Sequence, residues 1–511
     1  MEPDYDVAIV GYGPVGAFSA LLLAEAGLRV VVLERCSESV ELPRAVGLDG
    51  ESVRAFQRIG RGEAVAAILQ APRDPDEVWF TDSQRRRHFG AELPRHGWNG
   101  WRDVAFFDQP ELEALLREFV AAHPRVEVRL GHEVVGLDPR AEDVGLRFKS
   151  PGAPQPSELR AAFVIGCDGA SSFVRSELGI EWLSLGYNQD WLVIDVVQGP
   201  GATLPLVTMQ VCDPARLTTY VCVKDPNRRW EFQLLEGETR EEMLAPAKIQ
   251  QLLEPWEAPE HYEIRRAAVY QFHAATASRW REGRVFLAGD AAHQPPPFLG
   301  QGLNAGFRDA VNLGWKLPLV HAGACAPRLL DSYFDERDPH ARDLVEWAVA
   351  IGKLMETLAA REAGLPDPHE ADQSAGYGQG RIAPPLRGGV LADAAAEETS
   401  PVGMLLRQPT LRGPDGAECR LDELLGQGFA LLGRKQGDLQ LRPEGRATLE
   451  RLGAKTLCLE GFEVVDGALD ALFDTHPAVV LRPDRYVFGV VDAERDLDGL
   501  LADLASKLAL R

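Results

Sequence analysis

A chain of 511 residues with 45% hydrophobic content can bury a large core and should hold two or three domains. Its formal net charge of -23 argues against nucleic acid and anionic membrane as partners, and no apolar run approaches membrane-spanning length. The acidic N-terminus leads directly into a strand without a signal peptide. The seven cysteines form no CxxC and no metal spacing, so they read as reduced thiols of a cytoplasmic protein.

In chain order, Tyr5-Asp6-Val7-Ala8-Ile9-Val10 predicts a buried parallel strand. Gly11-Tyr12-Gly13-Pro14-Val15-Gly16 follows at once, then an Ala/Leu-rich helix to Ala26, stopped by Gly27. Arg29–Leu33 is a second strand ending at Glu34, which lies 18 residues after Gly16. This βαβ order is what a dinucleotide site needs: Gly11 for the tight turn, Gly13 for approach of a pyrophosphate, Gly16 for close helix–strand packing, and Glu34 to accept from ribose hydroxyls. Arg44 sits in an extended segment set by Pro43, and reads equally as a phosphate ligand or as a surface arginine.

A helix over Gly50–Ile59 comes next, then an aromatic β-rich stretch from Glu77 to about Phe107, and a helix from Pro110 to Ala121 behind Gln109. Another buried strand, Ala161–Cys167, ends at Asp168-Gly169 beside a helix start. Such a turn suits the phosphates of a dinucleotide, and is equally a plain β-turn. Residues 185 to 275 alternate apolar and polar with many aromatics, which predicts an antiparallel sheet with one covered face.

Gly289–Lys316 is the stretch around which the chain is organised. The strand Val285–Ala288 ends at Gly289-Asp290, a carboxylate placed to accept from a ribose or ribityl hydroxyl. Pro295, Pro296 and Pro297 stiffen the loop, and Gly300-Gln301-Gly302 opens a helix through Asn304 whose N-terminal donors would favour negative charge. Residues 366–403 are rich in Gly, Pro, Asp and Ala, including Gly376-Tyr377-Gly378-Gln379-Gly380, and read as a linker or wrapping arm. A small α/β domain follows.

Three motifs in this order, Gly11–Gly16 with Glu34, Cys167-Asp168-Gly169, and Gly289-Asp290-Ala291-Ala292-His293, resemble those of the group A flavoprotein aromatic hydroxylases. Leu42–Gly47, Phe163–Arg175, Arg229-Trp230-Glu231-Phe232, Gly300–Leu317 and Arg482-Pro483-Asp484-Arg485 resemble the 3-(3-hydroxyphenyl)propionate hydroxylases within that family. The resemblance covers nearly the whole chain and implies an α/β fold. It places a Rossmann-like FAD domain at 1–75, 108–180 and 276–365, and an antiparallel substrate domain at 76–107 and 181–275. A linker at 366–403 and a thioredoxin-like domain at 404–511, here without a redox cysteine pair, complete the expectation.

The same resemblance implies FAD held by Gly11, Gly13, Pro14, Val15, Gly16, Glu34, Arg35, Arg44, Gln109, Asp168, Gly169, Gly289, Asp290, Pro297, Gly300, Gln301, Gly302, Leu303 and Asn304, with Pro296 beside the reacting ring. NADH or NADPH would reduce the flavin, O₂ would be the co-substrate, and a phenolic ring would be hydroxylated by a flavin C4a-hydroperoxide. The partners implied are a small aromatic substrate and, for assembly, a homodimer. The alternatives on the same frame are a tailoring hydroxylase of an aromatic polyketide or other natural product and a flavin-binding redox sensor. His293 reads as a structural residue. Three departures stand out: three prolines where one is usual, Phe298-Leu299 in place of Trp-Gln, and Pro318, which predicts a kink or early helix stop.

Overall fold

The computed structural model describes residues 2–38, 43–369, 383–392 and 400–511. Two eight-stranded sheets carry the architecture. In the first, Tyr5–Val10 lies between Val30–Glu34 and Ser157–Gly166 and pairs in parallel with both. Val126–Leu130 and Val285–Leu287 extend this parallel set on either side. Val7, Ile9, Val31, Val164 and Phe286 are fully buried. Their continuous apolar character follows from having both faces of the sheet covered.

The second sheet draws its strands from Glu77–Thr81, Arg87–Glu92, Trp182–Gln198, Thr208–Val211, Thr218–Val221, Asn227–Gln233 and Tyr262–Ala277. Its pairings are antiparallel except that between Thr208–Val211 and Glu77–Thr81. One face, with Ile194, Met209, Tyr220 and Trp230, packs on the helix Pro246–Leu253 through Ile249 and Leu253. The other face turns toward the first sheet. His293–Gln294, from the loop that follows Asp290, adds a short strand to the second sheet, so this loop ties the two sheets together.

The helix Gly302–His321 runs through Pro318 without ending there. The early stop expected at Pro318 does not occur, because the proline occupies the last turn, and Ala322 N–H still donates to the Pro318 carbonyl. The helix Ser332–Glu362 crosses behind it.

In the C-terminal region a four-stranded sheet orders Lys455–Cys458, Ala430–Gly433, Ala478–Leu481 and Val487–Val490, beside a three-stranded sheet of Glu418–Arg420, Thr410–Arg412 and Glu463–Asp466. Cys419 and Cys458 lie on different sheets and both are free thiols. Of the segment read as a linker, residues 383–392 are described and pack closely, with Leu386, Val390 and Leu391 buried. Gly376–Gly380 and Leu42 lie outside the described residues.

A buried ionic cluster docks this region onto the rest. Glu336 accepts from Lys316 Nζ at 2.7 Å, Arg482 Nη2 at 2.7 Å, Asn312 Nδ2 at 2.6 Å and Val390 N–H at 2.8 Å. Arg482 also grips Asp484, which accepts from the Trp315 indole at 3.0 Å. Among the described residues no helix is long and apolar enough to cross a membrane.

Candidate active site

The first sheet's motif loop has the backbone its glycines require. Gly11 adopts φ +102°, and a Cβ there would stand 2.4 Å from the Cys167 carbonyl oxygen. A Cβ on Gly16 would fall 2.2 Å from the Gly11 carbonyl oxygen, so neither position admits another residue without backbone movement. Gly13 differs: nothing lies within 4 Å of its missing Cβ, and that open space is the N-terminus of the helix Pro14–Glu25. Glu34 ends the second strand and accepts from Tyr12 N–H and Cys36 N–H, both at 2.8 Å, one on each carboxylate oxygen. Each oxygen retains a free lone pair. Arg35 is exposed.

Between the two sheets opens a cavity of about 570 Å³. Gly13, Pro14, Val15, Arg44, Gln109 and Gly169 line its first-sheet side, together with Asp290, Pro297, Gly300, Gly302 and Leu303 from the central motif. The other residues singled out in the sequence as flavin ligands do not line this cavity. Gln109 is itself mostly buried: its Oε1 accepts from Arg44 N–H at 3.0 Å and Ala45 N–H at 2.7 Å, fixing the extended arm that carries Arg44. Asp168 accepts from Ser172 Oγ at 2.6 Å and Val174 N–H at 3.0 Å, so its side chain caps the following short helix. Gly289 (φ +63°) makes the turn beside Val15 that exposes Asp290. Gln301 and Asn304 are buried. Asn304 Oδ1 accepts from Asp49 N–H and Ser52 Oγ while its Nδ2 donates to the Gly300 carbonyl, which locks the start of the helix Gly302–His321.

The prolines divide their work differently from the sequence expectation. Pro295 and Pro297 line the cavity, whereas Pro296 is buried outside the lining. Pro296 (φ −57°, ψ 146°) leads into the turn Pro297–Leu299 and packs away from the cavity. His293 is structural in its contacts: its Nε2 pairs with buried Asp309 at 2.7 Å, and Asp309 also holds Arg337.

Asp290 projects into the cavity, and among the described residues no group donates to its carboxylate. The surrounding protein mass raises its pKa by burial, and the Arg44 guanidinium opposes the rise. An exposed, unpartnered carboxylate in a deep cleft is a hydrogen-bond acceptor held ready for a ligand's hydroxyls.

The opposite wall comes from the sheet expected as the substrate domain, but its residues were not singled out in the sequence as site residues. One row of residues runs across the second sheet in register, Phe89, Phe80, Gln210, Thr219 and Glu231, on five adjacent strands. All five line the cavity. Phe80 and Phe89 stack at 4.8 Å, and Thr219 Oγ1 donates to Gln210 Oε1 at 2.6 Å. Glu231 is 5% exposed, and its nearest cation, Arg229 Nη1, lies 3.9 Å away. Burial pushes the Glu231 carboxyl up to about 7; Arg229 and Arg266 oppose the rise and Asp195 adds to it. Arg229 is fully engaged, donating to Asp195 at 2.7 Å and to the Arg44 and Pro43 carbonyls, both at 2.7 Å. It joins the second sheet to the Arg44 arm. Phe298 and Leu299 close the far end, Phe298 packing edge-on against Trp191 with centroids 5.4 Å apart.

The available signal for Glu231 was an acid embedded in an apolar strand, Arg229-Trp230-Glu231-Phe232. The strand's alternation sends Trp230 to the packed face and Arg229 and Glu231 to the cavity.

The residues fit a flavin dinucleotide. Gly13 and Gly300 leave open space where side chains would intrude, a helix N-terminus faces that space, and Glu34 and Asp290 offer acceptors to two sets of hydroxyls. Comparison with known proteins agrees. Residues 4–348 match the FAD binding domain family, and residues 403–507 match the HcaD C-terminal domain. The chain belongs to the FAD binding domain family of flavin-dependent aromatic hydroxylases. It is 34% identical, with 95% of this chain and 94% of the relative covered, to a 3-(3-hydroxy-phenyl)propionate/3-hydroxycinnamic acid hydroxylase of Burkholderia cenocepacia. It is also 34% identical to a probable NADH-specific resorcinol 4-hydroxylase of Rhodococcus jostii, with 99% of this chain and 95% of the relative covered. Among solved structures, aklavinone-11 hydroxylase with FAD and aklavinone shares the fold at a TM-score of 0.83 and 24% identity, with 99% of each chain covered.

Proposed function

We propose that this FAD-dependent monooxygenase hydroxylates a phenol that carries no carboxylate, in the manner of a resorcinol rather than of a hydroxyphenyl propionate. The observation that carries the reading is the charge of the second-sheet wall. Its ionisable residues in the cavity are Glu231 and Arg229, and Arg229 already meets Asp195 and two carbonyls. Among the described residues, the only other arginine on the cavity wall is Arg44, on the arm beside the motif loops. A carboxylate reaching the second-sheet wall would therefore find no free cation on that wall and an acid beside it, with Arg44, unpaired among the described residues, standing on the motif-loop side of the cavity, and burying an unpaired charge is costly.

FAD would be held by the motif loops: Glu34 would accept from its ribose, Gly13 and the N-terminus of the helix Pro14–Glu25 would face its diphosphate, and Asp290 would accept from its ribityl hydroxyls. When bound and reduced by a nicotinamide donor, it supplies the activation of O₂ from which one oxygen atom enters the ring. The protein's own work is then positional and protonic. Phe80, Phe89 and Phe298 exclude water from the ring. Glu231 accepts the phenol hydroxyl's proton, which leaves the ring electron-rich at the carbon to be attacked. Thr219 and Gln210 orient the hydroxyl beside it.

The test is steady-state O₂ uptake and product analysis over matched pairs of phenols with and without a carboxylate tail. The carboxylate-free member of each pair is expected to show the higher kcat/KM. A preference for the carboxylated members would overturn the reading.

A further inference from the structure

A second cavity, of about 320 Å³, lies where the C-terminal region meets the helices Gly50–Arg58 and Gly302–His321. It shares no lining residue with the cavity above. Phe307, Val311, Leu386, Leu405 and Tyr486 give it a largely apolar wall. Five arginines also border it, and four are matched by carboxylates. Arg54 and Arg485 share Asp422, at 2.7 Å and 3.2 Å. Arg308 holds Glu51 at 2.7 Å, and Arg337 holds Asp309 at 2.9 Å.

Arg58 is the exception. Its only hydrogen bond among the described residues goes from Nη1 to the Pro483 carbonyl at 3.2 Å, with no carboxylate in reach. The remaining acids on the wall are already engaged: Asp484 with Arg482 at 2.7 Å, and Glu423 with Arg420 at 3.5 Å. Burial, and then the like charge of Arg485, bring the Arg58 guanidinium down to about 10, although Asp484 and Asp422 act against the fall from beyond ion-pair distance. A second polar group on this wall is unfinished. Asn312 is 3% exposed; its Nδ2 donates to Glu336, an acceptor only, so the amide is oriented, and among the described residues its Oδ1 has no partner.

We propose that this interdomain cavity is a binding site for a small aromatic monocarboxylate, separate from the flavin cavity. One uncompensated guanidinium calls for one negative charge. A phosphate dianion would bring a second charge toward Asp422, Glu51 and Asp484. The planar fork of Arg58 suits a carboxylate, the apolar wall suits a ring, and a cavity of this size lies at the small end of the roughly 300–1,000 Å³ range of small-molecule sites. A donor on the ring, such as a hydroxyl, would satisfy Asn312 Oδ1. The inference does not depend on which phenol is hydroxylated.

The experiment is crystallography of the FAD-bound enzyme soaked with 4-iodobenzoate, with the iodine located by anomalous scattering, alongside calorimetric titration of the same probe. The expected result is iodine in the interdomain cavity, with the carboxylate on Arg58. In Arg58→Gln, binding to this site should fall at least tenfold while FAD content and melting temperature hold. The neutral amide, 4-iodobenzamide, should leave the cavity without iodine in the native enzyme, which tests the charge requirement without any variant. Iodine only in the flavin cavity, or equal occupancy by acid and amide, would overturn the proposal.

Discussion

Two carboxylates divide the chemistry by their surroundings. Among the described residues Asp290 has no side-chain donor, so its acceptor capacity is open to a ligand. Hydrogen bonds to a charged group contribute on the order of 1.5–3 kcal/mol, so Asp290→Ala should weaken FAD binding about tenfold to a hundredfold or more. Quenching of FAD fluorescence on titration with the apoprotein measures this directly; unchanged affinity would remove Asp290 from the cofactor's partners. Glu231 is raised instead, from the usual 4.5 to about 7, chiefly by burial. Below that value it carries a proton and cannot accept one, so hydroxylation should rise with pH through about 7. Glu231→Gln should lose this rise along with roughly a hundredfold of the rate. A bound nitrophenol should show its yellow phenolate band in the native enzyme and not in the variant. The stability effect has the opposite sign. A raised carboxyl favours folding in its neutral form, so that stability is present below 4.5 and is lost as pH rises through about 7. Thermal melts of Glu231→Gln should lack that loss.

At the scale of elements, the cofactor end depends on contacts too close for any side chain. A Cβ on Gly16 would stand 2.2 Å from a backbone oxygen, and one on Gly306 2.5 Å from a Val15 methyl. The first clash is with backbone and has no cheap relief. The second is chiefly with the Val15 side chain, with the Gly289 Cα 3.2 Å away, so part of it can be relieved without moving backbone. Gly16→Ala is therefore expected to cost most of its bound FAD, and Gly306→Ala far less, read as flavin absorbance per chain in purified protein. Equal retention in both would show that the loop tolerates displacement. The helix Gly302–His321 illustrates a limit of element reading. Pro318 sits in its last turn, where losing one backbone donor is tolerable, and buried Leu317 and Val320 hold the turn in place. Tertiary packing outweighed the proline's local preference.

The molecule as a whole is joined through Glu336, which receives Lys316 from the long helix, Arg482 from the C-terminal region and Val390 N–H from the arm between. Burial would raise its pKa, but Arg482 and then Lys316 bring it down to about 2. A depressed carboxyl contributes stability that is present above the usual 4.5 and is lost as pH falls toward about 2. Removing one partner of a buried ion cluster costs roughly 3–5 kcal/mol. Glu336→Gln should lower stability by that order at neutral pH and flatten the acid limb of the unfolding curve, as followed by denaturant titration at several pH values. An unchanged midpoint would mean that the cluster aligns the parts without stabilising them.

The cofactor motifs were legible in the sequence because each depends on neighbours a few residues away. A strand, a turn with positive φ and a helix start lie within one short stretch at Gly11–Gly16, and again at Gly289–Gly302, where the glycines and the acid carry the pattern. The family and its α/β frame followed from the same local signals. The substrate wall did not. Phe89 is distant in the chain from Gln210, Thr219 and Glu231, and even these three, on successive strands, share one row only through strand register across the second sheet, which no local pattern encodes. Nor did the sequence say which proline faces the ring space, since that follows from the direction of the loop, or which arginine of the C-terminal interface lacks a partner. Charge pairing in three dimensions decides that: Arg54, Arg308 and Arg337 meet carboxylates brought in by other elements, and among the described residues Arg58 hydrogen-bonds only to a carbonyl.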